Sequence, residues 1–266
     1  MALTMSPAFL DRGAHQLAYE KTDGNAPTLV WLGGFRSDMT GSKAMKVEEY
    51  AKERGQACLR FDYAGHGQST GAFTDGTIGS WRDDAAAMIE AQASGETILV
   101  GSSMGGWIAL LLAIDEAKKA KAEGRASRVK ALVLIAPAPD FTQKLMWPKF
   151  SESQQQTILD EGQLVEPSPY DPEPTIITRA LIEDGKNHLI LDDMIETACP
   201  VRIVQGVADP DVPHTHALKL MDVLAGEDVV MTLIKDGDHR LSRDEDLATL
   251  VRVLDALPSQ ARGALL

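Results

Sequence analysis

Short apolar runs alternate along the chain with longer stretches in which apolar residues recur at helical spacing. Apolar runs without polar alternation are typical of strands in a parallel sheet covered on both faces, whereas the longer stretches are typical of amphipathic helices. The predicted strands cover residues 17–21, 28–32, 57–62, 97–100, 131–135, 201–205 and 229–234. The predicted helices cover residues 42–54, 80–93, 104–123, 214–224 and 243–257. This alternation predicts an α/β fold with a mostly parallel central sheet flanked by helices.

A long segment, residues 138–199, breaks the alternation and shows no convincing strand. It contains aromatic residues together with Pro139, Pro148, Pro167, Pro169, Pro172 and Pro174. A stretch of about sixty residues is too long for a structureless loop in a compact domain, and a disordered linker would carry fewer aromatic residues. We therefore expect a single domain over residues 1–266, in which residues 138–199 form a mostly helical lid over the carboxyl ends of the strands.

The charge of the chain excludes several classes of partner. Its 266 residues are 44% hydrophobic and 24% charged, which is typical of a globular protein, and the formal net charge is −13. A chain this acidic is repelled by phosphate backbones and anionic lipid surfaces, so we expect no nucleic-acid binding. The longest apolar stretch, residues 107–114, is far shorter than the roughly 20 residues that span a bilayer, so we expect no membrane insertion.

Cysteine content and the N-terminal residues bear on the cellular compartment. The two cysteines, Cys58 and Cys199, are too few for a disulfide framework and indicate thiols in a reducing compartment. Residues 1–13 have neither the basic start and apolar run of a signal peptide nor the Arg- and Ser-rich composition of an organelle transit peptide. These observations predict a cytoplasmic protein.

The strongest chemical signal is the sequence Gly101-Ser102-Ser103-Met104-Gly105, which lies between a predicted strand and a predicted helix. In this context G-x-S-x-G predicts a sharp turn that lifts the middle serine above the sheet, with glycine two positions away on each side to avoid a collision. The serine then lies at a helix N-terminus, whose N–H groups face a developing negative charge. We therefore predict that Ser103 is a nucleophile. The alternative is that these residues form a tight turn with a purely structural role. The neighbouring Ser102 is a weaker candidate for the nucleophile, because it does not have glycine two positions before and after it.

A serine hydroxyl needs a base to take its proton, and that base must be held by a third group. With a G-x-S-x-G turn the partners follow in the order serine, acid, histidine. His239 lies after the last predicted strand and before the last predicted helix, so its imidazole can reach over the sheet edge toward Ser103. An exposed loop histidine is the alternative. The histidines that fit this order less well are His15 and His66, which precede Ser103, and His188, which falls in the predicted lid.

Two aspartates compete for the role of the acid. Asp209 and Asp211 both follow the penultimate predicted strand, and Asp209 has the better spacing from the glycine before it and the Val-Pro pair after it. Asp238 adjoins His239, but neighbouring loop residues rarely point at each other. We predict Asp209, with Asp211 as the open alternative.

A metal site is the other chemistry that the histidines suggest. His214 and His216 form an H-x-H pair at the start of a predicted helix, but no third ligand with matching spacing is present. We therefore expect no metal and no organic cofactor.

Taken together, these residues resemble the α/β-hydrolase superfamily. The strand before residue 33 runs into Gly33-Gly34-Phe35 at the position of the family's H-G-x sequence, with glycine in place of the usual histidine. Residues 62–69 resemble its D-x-x-G-x-G-x-S turn, and residues 206–213 resemble its acid loop. The resemblance covers nearly the whole chain.

The superfamily members most similar to these motifs are acyl thioesterases and acyl-glucuronide esterases. The similarity implies a triad of Ser103, Asp209 and His239, with oxyanion donors from the backbone N–H groups of Phe35 and Met104. It also implies hydrolysis of acyl esters or thioesters, from a small-molecule or acyl-modified substrate, through an acyl-enzyme intermediate. Acyl transfer, amide cleavage and ligand binding without turnover are the alternatives, because the same fold supports several functions.

A substrate pocket is the least specific of these predictions. The candidates to line an acyl pocket, with packing of the lid and core as the alternative, are Phe35, Leu145, Met146, Trp147 and Phe150. Arg36 and Arg240 are candidates to pair with a substrate carboxylate, with ordinary surface salt bridges as the alternative.

Overall fold

The computed structural model describes residues 6–167, 174–258 and 261 of the chain. The strands in these residues are β1 (Ala8–Asp11), β2 (Gln16–Thr22), β3 (Asn25–Leu32), β4 (Gln56–Phe61), β5 (Thr97–Ser102), β6 (Val129–Ile135), β7 (Gln163–Glu166), β8 (Thr175–Thr178), β9 (Val201–Gly206) and β10 (Val229–Ile234). The helices are α1 (Ser42–Glu53), α2 (Ile78–Gln92), α3 (Met104–Glu123), α4 (Glu152–Glu161), α5 (Arg179–Gly185), α6 (His214–Val223) and α7 (Asp244–Asp255).

Eight strands form one sheet in the order β1-β2-β4-β3-β5-β6-β9-β10. Pairing is parallel from β4 through β3, β5, β6 and β9 to β10, and antiparallel where β2 joins β4 and β1 joins β2. The prediction of a mostly parallel sheet flanked by helices is confirmed. Strand β1 was not predicted, because most of its four residues are exposed and its apolar run is only three residues long.

Successive residues of the central strands enter two different cores. In β6, Leu132 and Leu134 join the core that also contains residues of α2, α3 and α6, whereas Ala131 and Val133 join the core that contains residues of α1 and α7. Because side chains alternate between the faces of a strand and both faces are covered, most positions of such a strand are apolar. This is the physical reason for the uninterrupted apolar runs in the sequence.

The segment of residues 138–199 contains short helical turns, α4, α5 and an antiparallel pair of strands, β7 and β8. The expectation of no strand there is therefore wrong. Each of these strands has four residues, too few to produce a recognisable sequence pattern. Pro169 and Pro172 lie outside the described residues. That this segment acts as a lid within a single domain stays a prediction.

Candidate active site

The turn between β5 and α3 holds Ser103 in a strained conformation, with φ 53° and ψ −117°. Its N–H donates to the carbonyl oxygen of Ile135 in β6 at 2.9 Å, which anchors the turn to the sheet. A Cβ atom on Gly101 would collide with the backbone of Gly105, and a Cβ atom on Gly105 would collide with the carbonyl oxygen of Leu32. The strand, the turn and the end of β3 can therefore meet only because both positions lack a side chain.

Three side chains meet at the carboxyl ends of three parallel strands. Ser103 follows β5, Asp209 follows β9 and His239 follows β10. The Nε2 atom of His239 lies 3.1 Å from the Ser103 Oγ, and its Nδ1 atom lies 2.8 Å from the Asp209 Oδ2. Because a carboxylate only accepts hydrogen bonds, we assign the proton to Nδ1, which leaves the Nε2 lone pair facing the serine hydroxyl. This geometry allows a proton to pass from the serine to the imidazole.

Asp209 is buried, and each of its carboxylate oxygens accepts two hydrogen bonds. Its Oδ1 accepts the N–H groups of Asp211 and Val212, both at 2.9 Å, and its Oδ2 accepts the His239 Nδ1–H at 2.8 Å and the Gln205 Nε2–H at 3.2 Å. Burial by itself raises the pKa of Asp209, but the hydrogen bond and charge of His239 and the two N–H donors bring the net pKa below its usual value. Asp209 is therefore a carboxylate at neutral pH.

The two candidate acids have different positions in the structure. Asp209 contacts His239 directly, whereas Asp211 contributes its backbone N–H to Asp209. One carboxylate oxygen each from Asp209 and Asp211 lies within 4.8 Å of the other and of a ring nitrogen of His239. This spacing could also hold a metal ion. The hydrogen bond between Asp209 and His239, and the one from the Asp211 N–H to Asp209, hold the three residues together.

The loop between β3 and α1, residues 33–41, passes beside Ser103 and is called here the β3–α1 loop. A Cβ atom on Gly34 would lie only 3.4 Å from the Ser103 Cβ, so the next residue, Phe35, begins next to the serine. Within residues 6–167 and 174–258, the N–H groups of Phe35 and Met104 donate no hydrogen bond. Met104 is the first residue of α3, where a helix has no internal partner for the N–H. Both N–H groups remain available to an oxygen atom of a ligand.

The turn after β4, residues 62–69, supports one end of this loop through Asp62. The Asp62 Oδ1 accepts the N–H of Met39 at 2.7 Å, and its Oδ2 accepts the N–H of Gln68 at 2.9 Å. A Cβ atom on Gly67 would collide with the Asp62 carboxylate, so the turn needs glycine there. Burial raises the pKa of Asp62 to about 6, and the two N–H donors oppose that shift.

The same turn contacts the loop a second time through His66. The Nε2 atom of His66 accepts the N–H of Arg36 at 3.3 Å, and its Nδ1–H donates to the carbonyl oxygen of Ala64 at 3.2 Å. Burial, opposed by the Ala64 hydrogen bond and aided by the nearby positive charge of Arg36, lowers the pKa of His66 to about 4. His66 is therefore neutral at neutral pH. Its place before Ser103 excluded it as the base, and the structure shows it packed behind the loop instead.

The side chain of Arg36 extends from the β3–α1 loop to the segment of residues 138–199. Its guanidinium donates to the carbonyl oxygen of Pro174 at 2.6 Å and to the Thr175 Oγ1 at 3.0 Å, and it lies 5.9 Å from the centre of the Phe73 ring. These contacts join the loop to the start of β8. A role for Arg36 in binding a substrate carboxylate stays a prediction.

The predicted pocket residues Trp147 and Phe150 lie in the same segment. Their rings meet edge to face with centroids 6.4 Å apart, and both are half-buried. With Phe35 and Met146 they pack against a small buried cluster of Ile158, Leu164, Ile177 and Ile182. Contact with a substrate stays a prediction for both residues.

Two supporting residues were not predicted. Gln205 is fully buried at the end of β9 and donates to Asp209, and a polar residue inside an apolar run was the available signal. The ammonium group of Lys43 donates a hydrogen bond to the carbonyl oxygen of Arg240, in the loop that carries His239. Burial lowers the pKa of Lys43 to about 8, against the opposing effect of nearby carboxylates. No sequence signal links Lys43 to that loop, because the two are far apart in the chain.

Comparison with known proteins identifies the family of this chain. The family model described as alpha/beta hydrolase fold matches residues 15–168, and the chain belongs to that family. The mouse protein named palmitoyl-protein thioesterase ABHD10, mitochondrial, is 36% identical over 256 residues, which are 95% of this chain and 82% of the mouse protein. Its human counterpart is 34% identical over 95% of this chain and 80% of the human protein.

The similarity extends to a solved structure from a bacterium. A crystal structure of a protein of Agrobacterium vitis S4, named only as a hydrolase, is 44% identical and has a TM-score of 0.86, over 94% of this chain and 97% of that one. Hydrolase activity is therefore supported for this chain.

The prediction of a cytoplasmic location is wrong by this comparison. The mouse, human and bovine relatives are all named as mitochondrial proteins, which points to mitochondria instead. A net negative charge and reduced thiols do not distinguish the cytosol from the interior of an organelle, so composition could not make this distinction. Every helix among the described residues is too short or too polar to cross a bilayer.

The close approach at the turn generates a first prediction. We expect Gly105→Ala to lower kcat/KM for para-nitrophenyl butyrate by about a hundredfold, because its Cβ would push the Leu32–Gly33 backbone and the β3–α1 loop away from Ser103. The matched control is Gly95→Ala, where a Cβ meets nothing within 4 Å, and which should hydrolyse the ester like the wild type. A fully active Gly105→Ala variant would contradict this account of the turn.

The pKa of His66 generates a second prediction. Because the folded pKa is about 4 and the unfolded value is about 6.5, the unfolded chain binds more protons between these limits. Stability therefore falls as the pH drops from 6.5 toward 4, by up to about 3 kcal/mol from this residue. His66→Gln has no proton to bind, so its free energy of unfolding in urea should fall less over that range. Parallel pH profiles for the two proteins would contradict the burial of a neutral His66.

Proposed function

We propose that this hydrolase cleaves acyl esters or thioesters with Ser103 as nucleophile, His239 as general base and Asp209 as the group that orients the imidazole. The observation that carries the proposal is the chain of two hydrogen bonds from the Ser103 Oγ to His239 and from His239 to Asp209. A nucleophile, a base and an orienting acid in this order are what acyl transfer to a serine requires.

In the proposed mechanism, the Nε2 of His239 takes the hydroxyl proton as the Ser103 Oγ bonds to the acyl carbonyl carbon. The imidazolium that forms is stabilised by the buried Asp209 carboxylate, whose lowered pKa keeps it ionised. As the tetrahedral intermediate collapses, the bond to the leaving alcohol or thiol breaks, and His239 returns the proton to that group. Water then attacks the acyl-enzyme with His239 again as base, which releases the acid and restores Ser103.

We assign the oxyanion of the intermediate to the backbone N–H groups of Phe35 and Met104. Support comes from the 3.4 Å approach of Gly34 to Ser103 and from the position of Met104 at the first turn of α3. One such donor is typically worth about 3–4 kcal/mol of barrier. The positive end of the α3 dipole adds to this stabilisation.

The acyl group of the substrate is proposed to be of medium to long chain, carried by a small molecule or an acylated protein. Palmitoyl-protein thioesterase is the name of the mouse and human relatives. The apolar side chains of Phe35, Trp147 and Phe150, grouped around the small cluster of residues 138–199, support a hydrophobic acyl site. We assign that segment the role of a lid in a single hydrolase domain.

Covalent labelling tests the nucleophile without knowledge of the substrate. We expect a fluorophosphonate to modify the protein at Ser103, located by mass spectrometry, because the probe reacts with serines activated by a base. Ser103→Ala should abolish labelling, and His239→Ala should slow it by at least about a thousandfold.

Ser102→Ala is the matched control, since the hydrogen bonds of the His239 ring go to Ser103 and Asp209 and not to the neighbouring serine, and its labelling should equal that of the wild type. Labelling at a residue other than Ser103, or none in a folded wild type, would contradict the proposed nucleophile. An added alcohol or thiol that outcompetes water for the acyl group would indicate acyl transfer rather than hydrolysis.

The acyl chain length is tested with para-nitrophenyl esters from acetate to palmitate. We expect kcat/KM to rise from acetate toward the longer chains, because each buried methylene contributes about 0.8 kcal/mol. Trp147→Ala should reduce the rate for the long chains more than for acetate. A series that peaks at acetate would contradict a long acyl group, whatever its leaving group.

A further inference from the structure

We propose that His66 is a positioning residue for the oxyanion hole: its Nε2 accepts the N–H of Arg36 and so holds the β3–α1 loop with the Phe35 N–H beside Ser103. This inference rests on the proposed function, because it concerns the loop assigned to the oxyanion. The contact is formed between residues 30 positions apart, and His66 is only 3% exposed.

The surroundings of His66 require one protonation state. The carbonyl oxygen of Ala64, 3.2 Å from Nδ1, can only accept, so Nδ1 carries the proton. The N–H of Arg36, 3.3 Å from Nε2, can only donate, so Nε2 presents its lone pair. Both contacts are met by a single neutral tautomer, and a protonated imidazole would lose the bond to Arg36. His66 therefore works as a hydrogen-bond acceptor and not as a charged group.

The β3–α1 loop needs external support at this point. Arg36 has φ 57°, in the left-handed region that favours glycine. The turn that contains it is closed by a hydrogen bond from the N–H of Ser37 to the carbonyl oxygen of Gly34 at 3.1 Å. A residue persists in such a conformation only where its surroundings hold it. The bond to His66 fixes the peptide between Phe35 and Arg36, and thereby the direction of the preceding N–H.

Aromatic packing holds the imidazole itself in place. The His66 ring lies 5.2 Å from Phe73 and 5.1 Å from Trp81, and the Phe35 ring lies 5.0 and 5.9 Å from the same two rings. The Trp81 Nε1–H also donates to the Ala64 carbonyl oxygen at 3.1 Å. Packing and hydrogen bonding therefore act at the same residue, and a test must separate them.

Two amide variants make that separation. In His66→Gln the side-chain oxygen can occupy the position of Nε2 and accept the Arg36 N–H. In His66→Asn the shorter side chain can keep the bond to Ala64 through its NH2 group, but no acceptor reaches Arg36. Both variants lose the aromatic ring, so packing is reduced in both.

We expect His66→Asn to lower kcat for para-nitrophenyl butyrate by about ten- to a hundredfold with KM changed less than about threefold, because the oxyanion donor acts mainly in the transition state. His66→Gln should stay within about threefold of the wild-type kcat. If His66→Asn does not fold at the assay temperature, His66→Phe, which keeps a ring without an acceptor, should show the same fall in kcat.

The outcomes separate this proposal from the proposed function. A wild type that is neither labelled at Ser103 by a fluorophosphonate nor active on esters contradicts the proposed function. A labelled, active wild type with folded His66→Asn or His66→Phe of unchanged kcat overturns the role of His66 alone. Equal losses of kcat in folded His66→Asn and His66→Gln also overturn it, since they would trace the effect to ring packing.

Discussion

The close approach of three backbone segments at the turn after β5 is the constraint on which the site depends. The absence of side chains at Gly101 and Gly105 lets the strand, the start of α3 and the end of β3 come into contact. That contact brings the N-terminus of α3 and the β3–α1 loop to the same side of Ser103. The strained conformation of Ser103 is stable because its N–H is anchored to β6, inside two buried cores.

The polar groups around this turn are held in defined protonation states by burial and hydrogen bonding. Asp209 is buried but surrounded by N–H donors, so it stays ionised next to His239. His66 is buried between a donor and an acceptor, so it stays neutral behind the β3–α1 loop. The two residues thus act by opposite means: Asp209 holds His239 with a negative charge, and His66 holds the Arg36 N–H with a lone pair.

The segment of residues 138–199 is connected to the site through the same loop. Arg36 holds β8 with its guanidinium while its backbone N–H contacts His66, and Phe35 packs against both the main core and the small cluster of the segment. These contacts join that segment directly to the loop assigned to the oxyanion. Hydrolases that share this fold can differ in substrate without change at the serine, because such segments vary separately from the sheet.

The sequence by itself determined the parallel strands of the central sheet and the candidate residues for nucleophile, acid and base. Uninterrupted apolar runs specify strands with both faces covered, and the order of Ser103, the aspartate pair and His239 follows the strand ends. Only the tertiary structure placed Asp209, rather than Asp211, in hydrogen-bond contact with His239, paired His66 with Arg36, and formed β7 and β8. Those features depend on distances between residues far apart in the chain, and on strands too short to leave a pattern, so no local rule could predict them.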